Sequence, residues 1–238
     1  MLYASPAGAQ IVTDRPDFVE SSATVGAGTV QIEGSVAYAR DGDMAAWTTP
    51  TLVRIGAGDR FELRAESDLL VHERTDGASA SGIADLSVGV KAAVADGFGL
   101  LGHLDLPTGS EEWRGEGVRP SLRAVVERKL PHDFGLGVMP GVFVDEDAEG
   151  RYAAGLLGIV IGKGWSDRLR SFVELGLEQI AADEDGGTVG SWNVGGALLL
   201  SENAQLDAAL SFGATSSSTP FALTVGYSHR FARGSTPR

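Results

Sequence analysis

Catalysis in this chain would have to start from its four histidines, because it has no cysteine to supply a thiolate nucleophile or a thiol-ligated metal. His72 falls in a polar stretch, His132 in a short turn and His229 among aromatic residues near the C-terminus. Only His103, two residues from Asp105 on the same face of an alternating segment, has a carboxylate placed to orient it as a general base. The sequence establishes no nucleophile at that level, Ser121 on the neighbouring segment being one example of a candidate. A histidine held in a hydrogen-bonded charge network is the plainer reading of the same residues. No histidine pair has metal-ligand spacing, and the acidic stretches Asp145 to Glu149 and Asp183 to Asp185 read as solvated loops.

Phosphate chemistry fares no better. Gly97, Gly99 and Gly102 spell G-x-G-x-x-G, but a dinucleotide fingerprint follows a strand and opens a helix, whereas this one opens an alternating strand. Gly162-Lys163-Gly164 has Leu157 where a phosphate loop needs its first glycine, and no Ser or Thr follows. A net charge of −13 and a pI near 4.7 oppose nucleic acid, whose phosphates call for clustered Lys and Arg. The expectation is therefore no catalytic residue, no metal site, no cofactor and no nucleic-acid partner.

The elements that carry these residues repeat with a period of two. Val30, Ile32, Val36 and Tyr38 alternate with Gln31, Glu33 and Ser35; Phe61, Leu63 and Ala65 alternate with Glu62, Arg64 and Glu66. The same pattern sets Val88, Val90 and Ala92 against Ser87 and Lys91, and Leu122, Ala124 and Val126 against Ser121, Arg123 and Glu127. Further on it sets Val173, Leu175 and Leu177 against Glu174 and Glu178. About twelve such segments recur, most near the 9 to 11 residues that a tilted membrane strand requires. No apolar run of about 20 residues offers a membrane helix.

Connections alternate between short and long. Short ones lie near Gly56 to Asp59, Ala95 to Gly97, Lys129 to Asp133, Gly162 to Asp167 and Ser201 to Ala204. Longer, more polar ones are expected at Arg40 to Thr49, Ser67 to Gly82, Pro107 to Gly117, Asp145 to Gly150, Ala182 to Gly187 and Gly213 to Thr219. Short turns at the end that holds both termini and long loops at the other describe an outer-membrane barrel. The fold class read from the sequence is thus all-β, a single antiparallel up-and-down transmembrane β-barrel of about 12 strands. Outer-membrane lipids and lipopolysaccharide become its expected surroundings, with divalent cations bridging to the acidic loops as the alternative to plain solvation there.

Thr224 to Phe231, TVGYSHRF, places Gly226 and then Tyr227, His229 and Phe231 at alternate positions. This resembles the C-terminal signal read by the barrel-assembly machinery, except that residues 232 to 238 extend past it. TDRPDFVESS (Thr13 to Ser22), TPTLVRIGAGDRFELR, GIADLSVGVKAAV and LPTGS together resemble a family of outer-membrane β-barrel transporters labelled with the MetA pathway of phenol degradation. The resemblance runs from about Ile11 to Phe231. It implies an outer-membrane barrel and the passage of small molecules.

Three regions are expected: a signal-peptide remnant and lead-in at 1–27, a barrel at 28–231 and a tail at 232–238. The remnant rests on Ala7 and Ala9, which have signal-peptidase spacing. Interleaved charges on the polar faces, among them Arg54, Glu62, Arg64, Lys91, Arg119, Arg123, Arg151, Arg170 and Glu174, are expected to line a narrow lumen with His103 and Asp105. TDRPDFVESS is expected to fold into the mouth as a partial plug. There Asp14, Asp17 and Glu20 would meet inward arginines, Arg15 a wall carboxylate, and Phe18 would anchor the segment. Function is then a channel or passive transporter for small solutes in the bacterial outer membrane, small aromatic or hydrophobic compounds among them. The alternatives are a structural barrel with a filled lumen, or a membrane enzyme built on His103.

Overall fold

A computed structural model describes residues 10–147, 150–182 and 187–232. The region around Ala7 and Ala9, the acidic stretch 183–185, the end of the stretch 145–149 and the tail beyond 232 lie outside the described residues. The strands are β1 (Thr29–Asp41), β2 (Met44–Gly56), β3 (Phe61–Thr75), β4 (Ala78–Gly82), β5 (Leu86–Ala95), β6 (Phe98–Leu106) and β7 (Arg119–Lys129). They continue as β8 (Phe134–Asp147), β9 (Gly150–Gly164), β10 (Leu169–Ile180), β11 (Val189–Ser201), β12 (Ala204–Gly213) and β13 (Phe221–Ala232).

Consecutive strands pair antiparallel, except that β5 pairs with β3 rather than with β4, and β1 pairs with β13 to close the ring. Closure leaves no free edge, which a lipid-facing sheet requires because hydrocarbon offers its amides no partner. The thirteenth strand is a local matter. β4 pairs only with β3, Val71 opposite Gly82, and β5 resumes on β3 with Glu66 opposite Ser87 in the same register. The two are one barrel strand broken at Ile83–Asp85, which makes the barrel twelve-stranded. The break is occupied by the longest described connection, residues 107–118: Ser110 N donates to Ile83 O at 2.9 Å and Ile83 N to Ser110 Oγ at 3.0 Å.

Alternation places the apolar face outside and the polar face inside. Ile32, Leu63, Val90, Leu122, Ile161, Val173 and Val225 are exposed, while Gln31, Glu33, Arg54, Glu62, Lys91 and Glu174 are buried in the lumen. Aromatic rings mark both rims, as expected at the two lipid headgroup levels. Tyr38, Trp47, Trp192 and Phe212 lie towards the loop end; Phe61, Phe134, Trp165, Tyr227 and Phe231 lie at the end that holds the termini.

All five expected short turns are present. Of the six connections expected to be longer or more polar, two are tight hairpins, at Gly42–Asp43 and Asp76–Gly77, and in a third β8 and β9 stay paired out to Asp147 and Gly150. There the strands run on past the apolar belt, where an outward side chain meets water or headgroups and alternation need no longer show. Arg151 also departs from the expected lumen set. Leu156 and Val160 are buried on the lumen face of β9, so Arg151 takes the opposite face at the rim and donates to Val118 O at 2.6 Å.

Candidate functional site

Residues 10–28 run into the lumen from the end that holds the termini, turn, and return to start β1. Ile11 N is tied to Glu202 O in the β11–β12 turn at 2.7 Å. The chain then passes the cis Arg15–Pro16 peptide and crosses to the opposite wall at Phe18 and Val19. It comes back past Ser22 and leaves the lumen at Gly26, which has φ 83° and lies so close to Gly56 that any side chain there would collide with it. Thr13, Asp14, Val19, Glu20, Ser21 and Ser22 are all buried.

Two kinds of wall residue hold this segment. Glutamates receive its backbone amides: Glu33 Oε2 accepts from Asp14 N and Arg15 N at 2.8 and 3.0 Å, and the Glu174 oxygens accept from Phe18 N and Val19 N at 2.8 and 2.7 Å. Glu127 accepts from Ser22 N and Glu62 from Val25 N, at 2.8 and 2.9 Å. Cations receive its carboxylates. Asp14 Oδ2 lies 2.6 Å from Arg64 Nη1, 2.5 Å from Lys91 Nζ and 3.3 Å from Arg54 Nη1. Glu20 lies 2.7 Å from Arg64 Nη2 and 2.8 Å from Arg123 Nη1, and Asp17 lies 3.5 Å from Arg170 Nη1.

Burial alone would raise both carboxyls, but the cations prevail. Asp14 is held well below the usual carboxylate range by Arg54, Lys91 and Arg64. Glu20 is brought down to about 2 by Arg64 and Lys91. The wall completes the network with Arg54 Nε on Glu62 Oε1 at 2.8 Å and Arg54 Nη1 on Glu33 Oε1 at 3.0 Å. Arg54, Lys91, Glu33 and Glu62 are without solvent contact, the situation in which an ion pair needs every partner in place.

The apolar residues of the segment dock on small side chains. Gly158 and Gly176 are direct register partners on β9 and β10, and Phe18 packs over both; Val19 packs between Gly137 and Gly158. Leu101, Val125, Met139, Leu156, Val160 and Phe172 complete an apolar surface around Val19 inside the barrel. Glycines on the lumen face are what leave room for a chain inside a barrel of this size.

On either side of the segment lies a cavity. One of about 380 Å³ opens at the termini end beside Gln10–Val12 and the turn 165–168. The other, of about 290 Å³, lies towards the long loop and is lined by Arg15, Glu66, Asp68, Asp85, Asp105 and Arg119. Arg15 faces these carboxylates, with Asp68 of β3 within reach of its charge. Arg119 bonds Asp85 at 3.0 Å, and Asp85 also accepts from the amides of Thr108, Gly109 and Gly115, fastening the long loop.

His103 is not oriented by Asp105. Its Nε2 accepts from Arg64 Nε at 3.1 Å, which places the ring in the cation network. Gly226 faces the lumen beside Asp207, while Tyr227, His229 and Phe231 form an outward aromatic row at the termini end, with 4.5 Å between the His229 and Phe231 centroids. Sequence reasoning passed over Glu33, Gln31 and Gln205 as contacts of the segment, and Asn193 as a support of Glu174. Gln31 Nε2 donates to Val12 O, Gln205 Nε2 to Thr13 Oγ1, and Asn193 Nδ2 to Glu174 Oε2. Their one sequence signal was their place on the polar face of a strand.

Among solved structures, the fold is similar to the COG4313 outer membrane channel from Pseudomonas putida F1, with TM-score 0.66 and 14% identity over 96% of this chain and 100% of that one. It is also similar to the CymD monoaromatic hydrocarbon channel, with TM-score 0.50 and 9% identity over 87% and 90% of the two chains. A third likeness is to the KdgM porin, with TM-score 0.55 and 11% identity over 85% and 99%. No curated protein matches the chain. The family model described as "Putative MetA-pathway of phenol degradation" matches residues 13–231, and the chain therefore belongs to that family.

Proposed function

We propose that this protein is an outer-membrane channel for small solutes in which residues 10–26 act as a movable plug. The observation that carries the reading is the course of that segment: it fills the lumen between two cavities, and ion pairs and amide hydrogen bonds hold it there rather than a continuous ladder. A strand in the wall could not leave without opening the barrel, whereas this segment can withdraw and leave every wall pairing intact. Small aromatic or hydrophobic compounds are solutes of suitable size and character, given the apolar surface at Leu101, Val125 and Met139. His103 serves the network that holds the plug, and catalysis has no part in this reading. The aromatic row at Tyr227, His229 and Phe231 is the feature we assign to the barrel-assembly machinery.

Deleting Thr13 to Ser22 should convert a silent or flickering channel into one with steady conductance in planar bilayers, while heat-modifiable migration on a gel shows that the barrel still forms. A folded deletion variant that stays silent would refute the channel. That result would favour a structural barrel, the second reading, for which the extent of lumen burial around Arg54 and Lys91 speaks.

A further inference from the structure

The plug segment presents to the wall the two ends of an organic acid. Its carboxylates, Asp14 and Glu20, lie among Arg54, Arg64, Lys91 and Arg123; its apolar side chains, Phe18 and Val19, lie on the apolar and glycine surface of β6 and β8–β10. The two surfaces are contiguous. Leu101, which packs with Val19, is the register partner of Lys91 on one side and of Arg123 on the other.

The segment supplies part of the negative charge that meets these cations. Arg54 and Arg64 stand directly opposite one another on β2 and β3, an arrangement that repels unless anions lie between them; Glu62 of the wall bonds both, and Asp14 of the segment is the second anion to do so. The ion pairs link four wall cations to only two wall carboxylates, Glu33 and Glu62; Asp14 and Glu20 supply the other two. The outer cavity has the opposite character, with Glu66, Asp68, Asp85 and Asp105 facing Arg15 and Arg119, so cations are concentrated in the layer that the segment covers.

Resting on the channel reading above, we infer that the solute is an amphipathic organic acid, a carboxylate joined to an aromatic or aliphatic body, and that it opens the channel by mimicry. Its carboxylate takes the place of Asp14 or Glu20 on the cations, its apolar body takes the place of Val19 and Phe18, and the segment is displaced. The solute is thus both cargo and key.

The test uses the full chain in planar bilayers with benzoate, its neutral counterpart benzamide, and acetate. Benzoate should raise the open fraction by about fivefold or more at a concentration where benzamide and acetate do nothing, since a charge-assisted bond and apolar burial each contribute on the order of tenfold in binding. In the variant lacking Thr13 to Ser22, benzoate should instead block chloride current saturably. Adding Lys91→Met or Arg123→Gln to that variant should weaken the block by about tenfold. Equal action of benzoate and benzamide, or no block in a conducting deletion variant, would overturn the inference and leave the channel standing. Equal action of acetate would remove the apolar half of it. A folded deletion variant without conductance would overturn the channel and this inference together.

Discussion

Replacing Gly158 by alanine should loosen the plug without touching any charge. A methyl group at this position would lie 2.5 Å from Val19 Cγ2 and 2.8 and 3.1 Å from two ring carbons of Phe18. Carbon atoms rest at about 3.5 to 4.0 Å, so the segment must retreat by about an ångström at its deepest point. The amides of Phe18 and Val19 would then move off Glu174, to which they now donate at 2.8 and 2.7 Å, beyond good hydrogen-bond geometry. Overpacking of this kind costs about 1–3 kcal/mol. Because the clash exists only while the segment is docked, that cost falls on the docked state alone and shifts the docked-to-withdrawn equilibrium by about 5- to 150-fold. The assay is open fraction in planar bilayers together with chymotrypsin cleavage after Phe18 in detergent. Gly34→Ala is the control, since a methyl group there meets nothing within 4 Å. If Gly158→Ala matches Gly34→Ala in both measurements, the glycine surface is not a docking site for the plug.

Acid should also release the segment. The carboxyls of Asp14 and Glu20 are depressed when docked and return to ordinary values on withdrawal. Their contribution to docking is therefore complete above about 4.5, the ordinary glutamate value, and is lost as the pH falls towards about 2; open fraction should rise through that window, and a flat profile would count against the ion pairs as the latch. Asp85→Ala should free the 107–118 loop, speeding hydrogen exchange at the amides of Gly109 and Gly115 by about 10- to 100-fold as each loses its acceptor, with a smaller effect at Thr108, which keeps Leu106 O, whereas unchanged exchange would place the anchor elsewhere. Phe231→Ala should lower the fraction of heat-modifiable barrel formed in cells while refolding in detergent is retained; loss of both would make Phe231 a stability residue rather than part of an assembly signal.

Where a strand crosses hydrocarbon, its outward residues must be apolar and its inward ones are polar, which is why β5, β7 and β10 could be read directly from alternation. Arg40 and Asp41, Glu73 and Arg74, and Asp145 and Glu146 stand on strands that continue beyond that belt. Outside hydrocarbon no rule makes their outward neighbours apolar, so these strand ends looked like loops. The inward charges of the wall were legible for the same reason, and so was their meeting with Asp14, Asp17 and Glu20, but the contacts of the wall glutamates were not. Glu33 and Glu174 bind backbone amides, which every residue except proline has, so nothing in the sequence of the segment marks them as its contacts. Gly158 and Gly176 looked like two more glycines of a turn-rich chain until their shared register placed them side by side beneath Phe18. His103 sits two residues from a carboxylate on its own strand, yet its hydrogen bond comes from Arg64 two strands away, over Gly89, which is the register partner of both.

The exit of the segment at Gly26–Gly28 bears on how such a channel would reset. The turn runs without interruption into Thr29 and β1, with Gly28 N held by Gly56 O at 3.2 Å, so a withdrawn plug stays tethered at the mouth by a leash of a few residues. Rebinding is then an intramolecular event, at an effective concentration on the order of millimolar whatever the number of barrels in the membrane. Closing speed becomes a property of the single molecule, set by the leash and by what occupies the cations, and each pore can shut behind its own cargo.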